Sequence, residues 1–566
     1  MSRSDGGEPG AWQVLYPLLV SLGLALAGGL LLSAILTWNG LISASATYLK
    51  LANFFVVAVA IQGVLLLQSR QGVFRSAWAF FSRSVALRSS VAVLSTIAAA
   101  VLGGVLISFL VLRGFPNSAD EFGYLFASET LRNGRLWNSL HPLQDFFHFF
   151  YLFEREGKWV SQYAPGWPSV LAAGYWLGIP LQIVGSLLGG LTLALVFFTA
   201  KRRLGLPVSL LVVLAVAVTP FFLFNAASYH SHVLAAAGLA GAAYCGSAFL
   251  KEPRFIAGLG LGICIGVVGI TRYYDAMLAS LAFAAFFFAQ PSRQRLLQSF
   301  AVVLGGLPFL LALLAYNYQI TGHPLVTVTS WGLPAMGIGF DAVGIGGPHS
   351  IQKAVLNTSY WLNGISTWAS FVVFPLYLFA VLYLFRAGRL EFYDLYLLIF
   401  ALGFVLFPDR GGNSYGARYY FAAFPCSIVT IGAALELALT RGDMKLFGRL
   451  APGLVAFHFL SALAALPLFI ALEGRVVWER MDLYRLVEER GLDNAIVFVG
   501  SGTGFSRYMP WNDLTRNSID LDGPVLYARD RGELNAQLVA YYPQRSAWRY
   551  VRAQNDPRGR LVPIRQ

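Results

Sequence analysis

Apolar runs of span length recur through most of this chain and leave little choice about its architecture. A helix needs about 17–25 apolar residues to cross a bilayer. Such runs start near Ala11, Leu51, Ser90, Leu181, Leu206, His232, Phe255, Asp275, Leu297, Ser366, Tyr393, Arg418 and Phe447. Within lipid every backbone N–H and C=O must be paired inside the chain, so a run of this length is helical. The expected fold is an all-α polytopic membrane protein with about thirteen transmembrane helices. Composition agrees: 57% of residues are hydrophobic and only 12% charged, against roughly 25% charged in soluble domains. The net charge of +13 does not mark a nucleic-acid partner, because Lys and Arg fall in short connections between the runs. Cys245, Cys264 and Cys426 all lie in apolar stretches and imply neither a disulfide framework nor a metal site. The first run, Trp12 to Trp38, is long enough to be retained as a span rather than cleaved as a signal.

Alternate connections differ in charge. One set carries Arg70, Arg75, Arg83 and Arg88, then Lys201–Arg203, Lys251 and Arg254, Arg293 and Arg295, Arg386 and Arg389, and finally Arg441, Lys445 and Arg449. The opposite set has little beyond Lys50, Arg272, Arg410 and Arg418. The positive-inside rule places the first set and the N-terminus in the cytoplasm and the C-terminus outside. Residues 1–89 then form two additional N-terminal helices. Residues 90–473 form a transmembrane core with large outer loops at 113–180 and 318–364. Residues 474–566 alternate apolar and polar positions at Ala495–Gly500, Val525–Asp530 and Trp548–Arg552, which predicts a small extracytoplasmic α/β domain. No internal repeat is evident, which counts against an inverted-repeat transporter.

The first outer loop opens on Asn117-Ser-Ala-Asp-Glu-Phe-Gly-Tyr124. Ser118 and Glu121 have the spacing of a capping box, with Asp120 in the first turn, where the helix dipole favours a carboxylate. Phe122, Leu125, Phe126 and Leu131 make an apolar stripe, so the expected object is a helix lying flat in the outer interface. Both acids could simply start that helix. Asp120 has no partner within the capping box and is the better candidate for chemistry. Farther on, aromatic runs flank Arg155-Glu-Gly-Lys158, which reads as a hairpin, and Gln162-Tyr-Ala-Pro-Gly-Trp-Pro168 is a rigid turn back to the membrane.

Asp120-Glu121-x-x-Tyr124, Asn133-Gly-Arg-Leu136 and Tyr163-Ala-Pro-Gly-Trp-Pro168 resemble a bacterial family of GT-C glycosyltransferases, similar to protein O-mannosyltransferases and lipid A aminoarabinose transferases. The resemblance continues through Thr271-Arg272, Tyr316-Asn-Tyr-x-x-Thr-Gly322, Tyr415-Gly-Ala-Arg418-Tyr-Tyr and Leu521-Asp-Gly-Pro-Val-Leu-Tyr527. It covers most of the chain from Arg113 onward, and the acidic pair is its most specific element. Ala164 stands where that family often has Pro, and the first two spans precede its usual start.

The resemblance implies a polyprenyl-phosphate sugar as donor, in a bacterial inner membrane, and a lipid, glycan or protein as acceptor. Asp120, with Glu121 beside it, would be the catalytic carboxylate, taking the acceptor hydroxyl's proton as that oxygen attacks the anomeric carbon from the far side. One such displacement inverts the anomeric centre. Arg272 sits within an apolar stretch of about 36 residues, about 54 Å as one helix, which is too long for a 30 Å core and must fold as two. A cation there is paired, with Asp275 at i,i+3, or holds the donor phosphate through its forked donors. Arg418 is a second phosphate candidate or a snorkelling interfacial residue. His230 and His232 are two apart, which is wrong for a metal pair on a helix; with Tyr124, Tyr163, Tyr415 and His349 they are candidate substrate contacts. No cofactor is required, although Asp120 and Glu121 are hard oxygen ligands that would suit Mg²⁺ or Mn²⁺. A multi-pass transporter or lipid flippase is the alternative, but the notable ionisable residues gather at one interface rather than at mid-membrane.

Overall fold

The computed structural model describes residues 81–83, 89–334, 336–344, 347–409, 414–441, 445–500, 515–552, 556 and 558–564. The two N-terminal helices expected before Ser89 lie outside the described residues. Among the described residues, six helices are long and apolar enough to cross a membrane: Ser90–Val111, Leu181–Lys201, His232–Lys251, Arg293–Thr321, Phe424–Arg441 and Gly453–Arg480. Two bent helix pairs are also apolar enough, each as a broken span or a re-entrant loop. Leu206–Ala217 turns through 63° into Pro220–Ala227, and Ile351–Trp368 through 102° into Val373–Arg386. Pro220 explains the first bend, since its ring cannot continue a helix but suits a new first turn. Thr219 caps that turn, accepting from the Phe222 N–H at 3.2 Å.

The apolar stretch around Arg272 does divide into two short helices, Phe255–Thr271 and Tyr273–Ala289, with Arg272 alone between them in a non-helical conformation. Two boundaries differ from expectation. The helix Ile351–Trp368 occupies the end of the supposed 318–364 loop, started by Ser350, whose hydroxyl accepts from the Lys353 N–H. The last membrane helix belongs to Lys445–Arg480 and runs on past Glu473.

His232–Lys251, rich in Ala and Gly, is nearly wholly buried and forms the centre of the bundle. Ser90–Val111, Arg293–Thr321 and Gly453–Arg480 are mostly unburied and present Leu, Val and Phe outward, as helices facing lipid do. Small residues set the closest contact: a Cβ on Gly262 would lie 2.0 Å from the Val302 carbonyl oxygen, and one on Gly305 2.3 Å from that of Leu259.

The first long loop folds as the helix Ala119–Arg132 and a three-stranded antiparallel sheet, β1 (Asn138–Ser139), β2 (Leu152–Arg155) and β3 (Lys158–Ser161), in the order β1-β3-β2. Glu156 and Gly157, both at positive φ, make the two-residue hairpin turn. A short pair, β4 (Val343–Gly344) and β5 (Gly347–Pro348), lies in the later loop.

Near the C-terminus, β6 (Ala495–Val499), β7 (Val525–Arg529), β8 (Ser546–Val551) and β9 (Arg560–Pro563) form a sheet ordered β7-β6-β8-β9. β6 is parallel to both neighbours and β9 antiparallel to β8. Side chains alternate across a strand, and β6 uses both faces. Ala495, Val497 and Val499 pack on Leu483, Leu486 and Val487 of the helix Asp482–Glu489. Ile496 and Phe498 pack with Phe126, Phe146, Phe147, Phe149 and Trp159 of the first loop. The Phe126 face of the acidic helix, expected to meet lipid, is thus covered by this sheet.

Candidate active site

Ser118 is the N-cap of Ala119–Arg132, its hydroxyl accepting from the Glu121 N–H at 3.2 Å. The other half of the expected capping box is absent. Glu121 instead accepts the Ser118 hydroxyl (3.0 Å) and the Tyr229 N–H (3.1 Å), and lies 3.9 Å from His230 Nε2. A fully buried carboxylate therefore ties the start of the helix to the turn before His232–Lys251. Burial, only partly offset by the Tyr229 and Ser118 bonds and Arg418, pushes the Glu121 carboxyl up to about 7.

Asp120, one residue earlier, points elsewhere. Its Oδ1 accepts the Tyr163 hydroxyl at 2.6 Å and its Oδ2 accepts from Arg418 Nη2 at 3.0 Å. Its side chain is 19% exposed, against 5% for that of Arg418. Burial alone would raise this carboxyl, but the Arg418 charge and the bonds from Tyr163 and Arg418 outweigh it and hold Asp120 below its usual value. Two adjacent acids thus have opposite electrostatics because only one faces the guanidinium.

Arg418 reaches Asp120 from a turn that the sequence prepares locally. Tyr415 and Gly416 both take positive φ, and Asn225 Nδ2 donates to the Tyr415 carbonyl at 3.0 Å. A Cβ on Gly416 would meet Trp368 at 2.8 Å, so only Gly fits there. Arg418 Nη1 lies 3.0 and 3.1 Å from the ring nitrogens of His230, and its Nε has no hydrogen-bond partner among the described residues. Burial, reinforced by Arg418, keeps His230 well below its ordinary value and therefore neutral.

Arg272 completes the charged group from its break between helices. It pairs with Asp275 (2.6 and 3.4 Å) and lies 5.6 Å from the Tyr419 ring. The i,i+3 pair expected as one reading is formed. Tyr124 stacks on Tyr163 at 4.1 Å and its hydroxyl meets Ser231 Oγ at 2.9 Å. His232 is buried, lies near parallel to Tyr419, and neither ring nitrogen has a partner among the described residues.

Asp120, Glu121, Tyr124, Tyr163, His230, His232, Arg272 and Arg418 are therefore gathered at one end of the bundle. Tyr415 is fully buried behind His230, 5.8 Å between rings, and stacks on Phe224. His349 is placed elsewhere: its Nε2 meets the Val405 carbonyl oxygen at 2.9 Å and its ring stacks on Phe340. Sequence reasoning missed Ser231, the Tyr229 N–H and the clasp of Tyr163 on Asp120, none of which has a local signature. Among the described residues no three His, Cys, Asp or Glu side chains are grouped to hold a metal ion.

The crystal structure of ArnT from Cupriavidus metallidurans bound to undecaprenyl phosphate matches this architecture, with a TM-score of 0.51 at 13% identity over 83% of this chain and 97% of that one. The fold is GT-C. The apo structure of the same protein gives 0.49 at 13% identity over 82% of this chain and 93% of that one. An oligosaccharyltransferase from Archaeoglobus fulgidus, in the apo form, gives 0.44 at 12% identity over 81% and 69%. The family profile described as dolichyl-phosphate-mannose-protein mannosyltransferase matches residues 175–317, a part of the GT-C core that includes Arg272 but neither Asp120 nor Arg418. A domain of unknown function matches residues 495–560, the C-terminal sheet. No curated protein matches the chain.

Proposed function

We propose that this GT-C protein is an inverting glycosyltransferase, moving a monosaccharide from a polyprenyl-phosphate donor to an acceptor hydroxyl on the non-cytoplasmic face of a bacterial inner membrane. One observation carries the reading: a mostly buried aspartate kept ionised by a buried arginine, with a second arginine close by. The undecaprenyl phosphate bound to the similar ArnT supports the donor class.

In this reaction Asp120 accepts the proton of the acceptor hydroxyl. The acceptor oxygen bonds to the anomeric carbon from the side opposite the phosphate, and the bond from that carbon to the phosphate oxygen breaks. The electron pair leaves with the phosphate, whose added charge falls to Arg272 and Arg418. Poorly solvated surroundings strengthen that attraction. The buried Arg418 Nε, without a partner among the described residues, is a donor left for phosphate while Nη2 still touches Asp120. Tyr163 orients the carboxylate, and Tyr124 with His230 and His232 lines the approach. Glu121, bound on three sides, acts by holding the Tyr229–His230 turn rather than by meeting substrate. Transfer of radiolabelled sugar from a lipid-phosphate donor by the purified protein in detergent tests the proposal. Absence of transfer from every such donor, with solute uptake in proteoliposomes, would replace it with a transporter.

A further inference from the structure

The segment after residue 514 returns to the acidic helix and meets the chain just before its start and just past its end. Arg516, 7% exposed, donates from Nη1 to the Pro116 carbonyl at 2.5 Å, two residues before the cap Ser118. Its guanidinium lies 4.7 Å from the Phe115 ring and 5.6 Å from that of Phe122, which neighbours Glu121. Four residues later Asp520 pairs with Arg135, just past the helix end, at 2.5 Å. Ile519 and Leu521, on either side of Asp520, share a core with Phe126. The 14-residue helix is about 21 Å long. Four extended residues reach about 13 Å, and the side chains of Arg516 and Arg135 supply the rest.

The strap is itself fixed. Asn517 receives the Tyr527 N–H at 2.9 Å and donates to the Tyr527 carbonyl at 2.8 Å, so its amide acts as a strand neighbour to β7. Thr515 donates to the His148 carbonyl at 2.8 Å. The helix start is otherwise held from the bundle, where the Tyr229 hydroxyl donates to the Gly114 carbonyl at 2.9 Å. The acidic helix is thus held by the strap as well as by the bundle and by β3, whose Ser161 donates to the Gly123 carbonyl at 2.8 Å.

We infer that residues 515–521 form a strap that sets the position of the Asp120 helix, with Arg516 as its positioning residue. A charge-assisted bond to Pro116, with two aromatic rings against the guanidinium, adds to the Ser118 cap and the Glu121–Tyr229 tie in setting the first turn that carries Asp120. The functional weight of the strap rests on the proposed role of Asp120, but its mechanical effect does not.

Hydrogen exchange on the full-length protein in detergent tests it. With Arg516→Ala, amides within 117–126 exchange about tenfold faster or more, as loss of one charge-assisted bond predicts. Those of Leu181–Lys201 and His232–Lys251 keep their wild-type rates. Arg516→Lys recovers part of the protection, since an ammonium reaches the carbonyl but lacks the flat face for stacking. Unchanged exchange at 117–126, or an equal rise throughout the bundle, overturns the inference. If Arg516→Ala does not fold, Arg516→Lys decides it by the same comparison. Undecaprenyl phosphate, used as a probe, binds wild type and Arg516→Ala alike. Binding to neither would remove the proposed donor and leave the strap standing.

Discussion

Arg418 and Asp120, 298 residues apart in sequence, meet through a 3.0 Å ion pair whose carboxylate also accepts the Tyr163 hydroxyl. Under the proposed mechanism this pair joins a base for the acceptor to a cation for the leaving group. It also makes the individual contributions separable by substitution.

Asp120→Asn keeps the shape and the Tyr163 bond but removes the base. Transfer falls by about 10²–10⁴-fold, the usual range for general base catalysis, while the protein remains folded, with a lowered melting temperature because the buried Arg418 loses its counter-ion. Near-normal turnover would remove Asp120 from the mechanism.

Arg418→Ala takes away the strongest influence that lowers the Asp120 carboxyl and leaves burial to raise it. A base must be unprotonated to act, so the acid limb of the pH–rate profile moves upward. Arg418→Lys, which keeps the charge, shifts it less. The normalised profiles of the three proteins provide the check, and coincident acid limbs would refute the pairing's electrostatic role.

Glu121→Gln separates position from charge. Glu121 has a carboxyl raised from 4.5 to about 7, so the folded protein holds this proton after the unfolded chain has released it. Stability therefore falls as pH rises through that interval, by at most about 3 kcal/mol. Gln keeps an acceptor for the Tyr229 N–H and abolishes that pH dependence. Melting curves between pH 4.5 and 7 flatten, and most transfer activity remains.

Arg272→Ala strands the buried Asp275 and costs about 3–5 kcal/mol, the usual effect of breaking a buried pair. Adding Asp275→Asn restores the melting temperature but not the turnover or the donor affinity. Full recovery of activity in the double variant would confine Arg272 to a structural role.

EDTA leaves transfer unchanged under the proposed mechanism. Inhibition that added Mg²⁺ or Mn²⁺ reverses would give Asp120 or Glu121 a ligand role instead.

What could be read from the chain was local. The length of the Phe255–Gln290 run required a break, and the break falls at Arg272. Alternation at Ala495–Gly500 and Val525–Asp530 marked segments that are β6 and β7. Ser118 announced the cap of the acidic helix. What could not be read depends on distant packing. Nothing near Glu121 says that its carboxylate turns from its own helix to the Tyr229 N–H. Phe122 and Phe126 predicted an apolar helix face, but periodicity does not reveal whether lipid or a distant sheet covers it. His349 has the composition of a loop ligand, yet Val405 and Phe340 already hold it.

Because β6 and β7 share a core with the acidic helix, the order of synthesis acquires weight. A nascent chain exposes Asp120 long before the ribosome has made Arg418, and longer still before it has made Leu526. Until those residues emerge, Phe126 and its neighbours lack their cover, and sequence separations of this size make such assembly slow. A copy that stops short of β6 thus carries Asp120 and Arg418 but leaves bare the apolar face around Phe126, a patch of the kind that draws an unfinished chain into aggregates.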